Sequence, residues 1–397
     1  MSLEMAVEAN DVTAEQDALQ AWRREFPILD HTTYMVSHSL GAMPRGAAAG
    51  LAEYTEVWAT RGIRAWKETW WDMPVVVGDL VGKIIGAAPE SVVMQPNVSI
   101  CQNIVTSCFD WTGRRNKLVT DGLNFPSNDY IYGELGRKPG GPRVVSVASA
   151  DGMTIPLEQI LEAIDEETLL VSISHVAFRS STLHDLAAIT QRAHAVGAKV
   201  FADLYQSAGI VPVDVTALGV DFATGGSVKW LLGGPGAGYL YVRPDLIPTL
   251  RPAATGWGAH AQPFSFAPAP IVFDEGIRRF QNGTPNISAL YQARAGYDMV
   301  AEIGVAAIRA KSQRQTERLI ALADAEGFPV RTVRDPEARG GVVILDVPNG
   351  KEVTAELARR EVLVDFRPGA GVRIAPFFYT TDEEIERTVA EIRNIVG

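Results

Sequence analysis

The feature that most constrains this chain is a repeated alternation of short apolar runs with helical stretches through its middle. Val92 to Gln95, Lys117 to Thr120, Arg143 to Val147, Leu169 to Ile173, Lys199 to Ala202 and Gly238 to Val242 read as strands. Residues 75–87, ahead of the first of them, and 98–109 and 184–195, between them, read as helices, the last ending before Gly197. Runs this short and this continuously apolar are the mark of a mostly parallel sheet covered by helices on both faces. The expected fold class is therefore α/β, with a core from about residue 46 to 285. Ahead of it lie helical stretches at 14–24 and 44–60, separated by a turn, His38-Ser39-Leu40-Gly41-Ala42-Met43-Pro44, with proline near the start of the second helix. After Pro285 the texture changes to a long helix over 287–325, a strand at Val342 to Val347, a helix near 351–360, strands at 362–366 and Val372 to Ala375, and a last helix from Asp382. That is a smaller α+β unit. The expected division is 1–45 as an N-terminal arm shared with the small domain, 46–285 as the large domain and 286–397 as the small one.

Composition supports a sizeable core: of 397 residues, 47% are hydrophobic and 21% charged. A formal net charge of −11 argues against nucleic acid or an anionic membrane as partner, without excluding a local basic pocket. The two cysteines, Cys101 and Cys108, lie in what reads as one helix and suit buried small side chains better than a disulfide framework. No Cys-x-x-Cys or His-Glu-x-x-His pattern points to zinc. No basic segment followed by an apolar core marks the start of the chain, and no run of about 18 apolar residues occurs. A soluble cytoplasmic protein is the expectation.

Two stretches carry chemistry. Asp203 ends the apolar run Val200-Phe201-Ala202, and ligands of open α/β sheets bind beyond such strand ends. Alone, it reads rather as a turn or helix cap. Further on comes Gly225-Gly226-Ser227-Val228-Lys229-Trp230-Leu231-Leu232-Gly233-Gly234-Pro235-Gly236-Ala237-Gly238. A lysine in a glycine-rich loop is usually a solvated charge, but apolar neighbours can desolvate this ammonium and lower its pKa, as a Schiff-base lysine needs. The loop is no nucleotide phosphate cradle, because the lysine precedes the glycines.

Asp203, Gln206 and the Ser227-x-Lys229 loop followed by Gly-Pro-Gly-x-Gly resemble the class V aminotransferase group of fold type I pyridoxal-phosphate (PLP) enzymes, kynureninase above all. His38-Ser39-Leu40-Gly41, Phe125-Pro126-Ser127-Asn128-Asp129-Tyr130, Gly256-Trp257-Gly258, Val364-Asp365-Phe366-Arg367-Pro368 and Val372-Arg373-Ile374-Ala375-Pro376 extend the likeness from about 35 to 380. The resemblance implies a PLP-binding large domain, a small C-terminal domain and a homodimer. It also implies roles. Lys229 would hold the cofactor as a Schiff base and shuttle protons at the substrate Cα; Asp203 would pair with the protonated pyridine nitrogen. Phe125 would stack on the ring, or else simply pack in the core. Ser127, Asn128 and Ser174 fall at cofactor positions, as does Gln206, whose alternative is an exposed turn. Asn97, Val98 and Ser99 would receive the phosphate at a helix start, where Asn97 equally reads as the cap. Trp257 and Thr284 would reach the neighbouring subunit's phosphate. Arg373 would take the substrate α-carboxylate through its planar fork, the alternative being a surface salt bridge.

The sequence departs from the kynureninase pattern at Val228, where a tyrosine precedes the lysine, at Asn128 in place of aspartate, and at Gln102 in place of a pocket histidine. Tyr130, Tyr132 and Tyr205 are candidates for a substitute hydroxyl. The expected reaction is cleavage of an amino-acid side chain, kynureninase-like, at Cβ–Cγ. The alternative is an aminotransferase or another class V activity such as an epimerase, cyclase or C–S lyase. A desulfurase of the usual type needs a mobile thiol in the C-terminal half, and no cysteine follows Cys108. A non-catalytic relative would have little reason to keep both Lys229 and Asp203. A dinucleotide-dependent oxidoreductase would need its glycines after a strand and opening a helix, whereas residues 233–238 precede one.

Overall fold

The computed structural model describes residues 17–397. A two-residue strand β1 (Thr33–Tyr34) precedes the helix Arg45–Arg61. Then follow β2 (Val92–Gln95), β3 (Lys117–Asp121), β4 (Arg143–Val147), β5 (Thr168–Ser174), β6 (Lys199–Asp203), β7 (Phe222–Gly226) and β8 (Gly238–Val242). These seven make one sheet in the order β2-β8-β7-β6-β5-β3-β4. All neighbours are parallel except β8, which runs antiparallel to both β7 and β2. Each strand feeds both faces by its period of two. Val119, Val171, Ile173, Val200, Ala202, Tyr239 and Tyr241 enter the core on one side. Leu118, Leu170, Phe201, Phe222, Leu240 and Val242 enter the core on the other. The expected α/β architecture and mostly parallel sheet are what the chain forms.

Strand β7 was not expected. Thr224-Gly225-Gly226 interrupts the apolar pattern, yet the strand lies between β6 and β8, and a Cβ on Gly226 would overlap the ring of Tyr205. The helix expected over 287–325 is two helices, Ile287–Ile303 and Val305–Ala325, because Gly304 takes φ +82° and breaks the ladder. The helix expected over 14–24 lies partly outside the described residues; within them the segment is a 3-10 helix, Ala18–Glu25. Helix Pro126–Arg137 was not anticipated; its proline sits in the first turn, where no N–H is needed.

A second, smaller core is built from β9 (Val343–Leu345), β10 (Val362–Leu363), β11 (Asp365–Arg367) and β12 (Gly371–Ile374), with helices Gly350–Arg359 and Asp382–Val396. The strand expected at 362–366 is two pieces with different partners: β10 pairs in parallel with β1, while β11 and β12 form an antiparallel hairpin continued by β9. Met35, just after β1, is buried in this core, and the Met35 carbonyl accepts a hydrogen bond from the Ala375 N–H at 2.8 Å. The segment after β1 then crosses to the large layer, where the Gly41 N–H donates to the Val228 carbonyl at 2.8 Å. Among the described residues no helix is long and apolar enough to cross a membrane.

Candidate active site

The carboxyl ends of β5 and β6, the start of the helix Val98–Thr106 and the β11–β12 hairpin surround a cavity of about 370 Å³. Into it come Lys229, Asp203, Asn97, Val98, Ser99, Phe125, Ser127, Asn128, Ser174, Gln206 and Arg373, all expected from sequence to belong together. Trp257 and Thr284 do not join them. Trp257 lies in an aromatic cluster with Trp71, Phe264 and Phe266, and Thr284 lines a separate cavity beside Gln95 and Gly236.

Asp203 ends β6 and is buried. Its Oδ1 accepts from the Tyr205 N–H at 2.9 Å and its Oδ2 from Asn128 Nδ2 at 3.1 Å. Asn128 in turn donates to Asn124 Oδ1, which also accepts from the Ser174 hydroxyl at 2.8 Å. Burial pushes the Asp203 carboxyl up; the Tyr205 N–H, Asn128 and the charge of Lys229 pull it back toward the ionised form. An aspartate at 128 would add a second buried negative charge here. The asparagine adds a donor instead.

Lys229 Nζ has no hydrogen-bond partner among the described residues and sits 4.4 Å above the centre of the Tyr205 ring. The side chain is half-buried and lines the cavity. Burial lowers its pKa to about 7, assisted by Arg373 and Arg367 and opposed by Asp203. Near pH 7 a large share of the amine is therefore neutral, and nucleophilic, where an ordinary lysine is almost wholly charged. Gly41 packs on the Lys229 carbonyl so closely that any Cβ there would collide with it.

Asn97 caps the helix Val98–Thr106, its Oδ1 accepting from the Ile100 N–H at 3.1 Å. The remaining N–H groups of the first turn have no acceptor in their own helix, and together with the helix dipole they make this end suited to an anion. Gln206 is buried rather than an exposed turn residue; its amide donates to the His38 carbonyl at 3.2 Å and accepts from Trp230 Nε1 at 3.1 Å. Phe125 is 49% exposed at the rim, edge-on to Phe178, so it is not a core residue.

Arg373 is 2% exposed, so the surface-salt-bridge alternative falls. It is not free either. Its guanidinium is ion-paired with Asp365 and donates to the Phe178 carbonyl at 2.5 Å. The same Asp365 accepts from Arg367 at 2.7 Å and lies 3.4 Å from His38 Nε2. Burial opposes ionisation of Asp365, but its contact with His38 and the charge of Arg373 hold its carboxyl below the usual range. Burial lowers the His38 pKa to about 3, so the ring is neutral, and neither ring nitrogen has a well-formed hydrogen bond.

Of the tyrosines offered as substitute hydroxyls, only Tyr205 reaches the cavity: Tyr132 is buried against Ser172 and Tyr130 is 70% exposed. Gln102 is fully buried outside the cavity lining, with both amide atoms unpartnered. Val176 and Phe178 line the cavity and were not singled out from sequence. Their position just past the end of β5 was the available signal. The two cysteines are free, and burial pushes both thiols up to about 12.

The aminotransferase class-V family model matches residues 76–387, and the chain belongs to that family. More particularly, it is a PLP-dependent enzyme of the fold type I group. It is 31% identical over 387 residues to a kynureninase of Pseudomonas fluorescens, covering 93% of this chain and 90% of that one. It is 31% identical over 373 residues to the uncharacterized aminotransferase YcbU of Bacillus subtilis (strain 168), covering 94% and 97%. Among solved structures, the apo cysteine desulfurase of Thermococcus onnurineus NA1 superposes with a TM-score of 0.84 at 23% identity, over 95% of this chain and 98% of that one. That likeness speaks for the fold alone.

The residues present fit the cofactor. A partnerless desolvated amine, a buried carboxylate with two donors, an open helix N-terminus and an aromatic rim surround one cavity of small-molecule size.

Proposed function

We propose that this enzyme cleaves the side chain of an amino acid, kynureninase-like, at the Cβ–Cγ bond, with Lys229 and Asp203 as the catalytic pair. The observation that carries the proposal is the meeting of these two residues in one cavity, the lysine amine unpaired and near neutrality, the carboxylate held by two donors. PLP supplies an electron sink for bonds broken next to the substrate nitrogen. Lys229 Nζ would hold it and then move the proton at Cα. Asp203 would face the ring nitrogen, Asn128 and the Tyr205 N–H keeping it ionised. Phe125 would cover the ring, with Ser127 and Ser174 beside it. Asn97, Val98 and Ser99 would bind the phosphate, and Gln206 has one amide N–H left for the same ligand. Arg373 would orient the α-carboxylate. Burial and the charge of Asp203 push the Tyr205 hydroxyl up to about 12, so it stays protonated and can donate to a leaving group.

Amino transfer is the second reading. It is kept because Val228 lines the cavity but supplies no hydroxyl, which weakens the kynureninase likeness without supplying the histidine frequent in aminotransferase-like members. A homodimer, with Trp257 and Thr284 reaching the neighbouring site, and a cytoplasmic location belong to the proposal. Both rest on the family likeness.

Absorbance and product analysis test it. The protein with PLP should show a visible band that Lys229→Ala abolishes or shifts; an unchanged band and activity would sink the lysine assignment. Incubation with kynurenine, 3-hydroxykynurenine and common amino acids, with and without a keto acid, separates the readings. Alanine release without keto acid supports cleavage, whereas strict keto-acid dependence supports amino transfer.

A further inference from the structure

We propose that the cavity accepts an amino acid whose side chain ends in a second carboxylate, received by Arg367 with Arg179 nearby beside the hairpin turn, while Arg373 takes the α-carboxylate. This rests on the PLP reading above and names the substrate class for that site.

The hairpin sets the arrangement by alternation. Asp365 and Arg373 are direct partners in the β11–β12 register, and Arg367 follows Asp365 by two residues, so all three share one face. Val372 and Ile374, on the opposite face, are buried in the small core, with Phe366 packed against them. The charged face is thereby turned to the cavity, which Arg367 and Arg373 both line.

The charges on that face do not balance. Asp365 is the one carboxylate shared by Arg373 and Arg367. Arg179 has no ion pair among the described residues. Its guanidinium lies 5.7 Å from the ring centre of Phe178, a lining residue, and it comes within reach of Gly369 in the hairpin turn. Three guanidiniums thus gather around one carboxylate, two of them in the cavity lining, in a chain whose net charge is −11, so the excess is local and not compositional. An α-carboxylate accounts for one of the two uncompensated cations. The other remains.

Donor capacity points the same way. Arg373 is buried and spends four of its five N–H groups on Asp365, Phe178 and Ser39, which leaves one Nη1 hydrogen for an α-carboxylate. Arg367 has a side chain 44% exposed and uses only Nη1, toward Asp365 and its neighbour's carbonyl. Its Nε and Nη2 hydrogens present the fork that binds a carboxylate bidentately. A side-chain amide there would offer one uncharged carbonyl oxygen to this fork, and a hydrocarbon would leave it unused.

The test is titration of the PLP-loaded enzyme, followed by the visible band and by calorimetry, with L-aspartate, L-glutamate, L-asparagine, L-glutamine, L-alanine and L-kynurenine. A matching acid should bind about 10- to 100-fold more tightly than its amide, the worth of one charge-assisted pair. Arg367→Gln should collapse that ratio, and Arg179→Gln should reduce it by a smaller factor; raised salt should weaken acid binding more than amide binding. Equal binding of acids and amides by the wild type would overturn the proposal. So would a ratio that survives both substitutions, or kynurenine binding more tightly than every dicarboxylic probe, an outcome that leaves the proposed cleavage standing. Failure of the wild type to form any visible band with PLP would instead defeat the cofactor reading, and this inference with it.

Discussion

The floor and the wall of the cavity are built differently. The floor, with Asp203, Ser174 and Lys229, stands on the ends of hydrogen-bonded central strands and on the loop that follows β7. Apart from the Lys229 amine, its polar groups are closely partnered: Asp203, Asn128, Asn124 and Ser174 form one connected run. The wall is a short hairpin belonging to a separate core, and it carries more charge than it can pair. A floor of partnered groups around one unpaired amine suits a resident cofactor. A wall with unused donors suits a visiting ligand. One half of the site is thus specified by the sheet, the other by side chains that can be exchanged without disturbing it.

That contrast can be broken most severely at the floor. Asp203→Ala should lower turnover by at least ~100-fold and shift or remove the visible band, as expected when a preorganised charge partner is lost. Removing the wall pair instead, with Asp365→Ala and Arg373→Ala together so that no buried charge is left alone, should leave the band in place. It should raise the half-saturating substrate concentration by about 10- to 100-fold, read from steady-state kinetics. If the double variant loses PLP as Asp203→Ala does, the division between floor and wall is wrong. Asn128→Asp sharpens the view of the floor. A second carboxylate beside Asp203 should weaken PLP binding by ~10-fold and make it more pH-dependent, measured by band titration across pH.

The smallest effects concern the lysine itself. Its pKa in the folded chain is lowered to about 7 from the ordinary 10.5, so the unfolded chain binds more protons between those values and apoprotein stability rises with pH there. Lys229→Met, free of this cost, should melt about 2–5 °C above the wild-type apoprotein at or below pH 7. The gap should narrow above pH 7 and close toward pH 10.5, as thermal denaturation across pH would show. Capture of PLP by the wild-type apoprotein, which needs the neutral amine, should quicken as pH rises and level off above about 7 in stopped-flow absorbance.

Much of the floor was legible in the sequence because each part has a local signature. Asp203 closes an apolar run, Asn97 precedes a helix, and Lys229 stands between apolar residues and glycines. The wall was less legible. Arg373 could be named, but its ion pair depends on the register of a hairpin whose two strands are three and four residues long. Alternation alone does not fix register. Likewise β7 was hidden because Gly225 and Gly226 carry no apolar pattern; their reason is tertiary, the packing of Tyr239 and Tyr205 against them. The break at Gly304 was missed because a lone glycine inside a periodic helical stretch is tolerated as often as it ends one.

Residues 33–42 deserve a mechanical reading. At one end this segment is stitched to β10 and to Ala375; at the other, Gly41 is bonded to the peptide beside Lys229 and pressed against its carbonyl. It is a strut of fixed length between the layer that carries the arginines and the loop that carries the amine. Any swing of the C-terminal layer over an arriving substrate must either snap that strut or drag the lysine backbone with it. Closure of the wall and placement of the amine would then be a single motion.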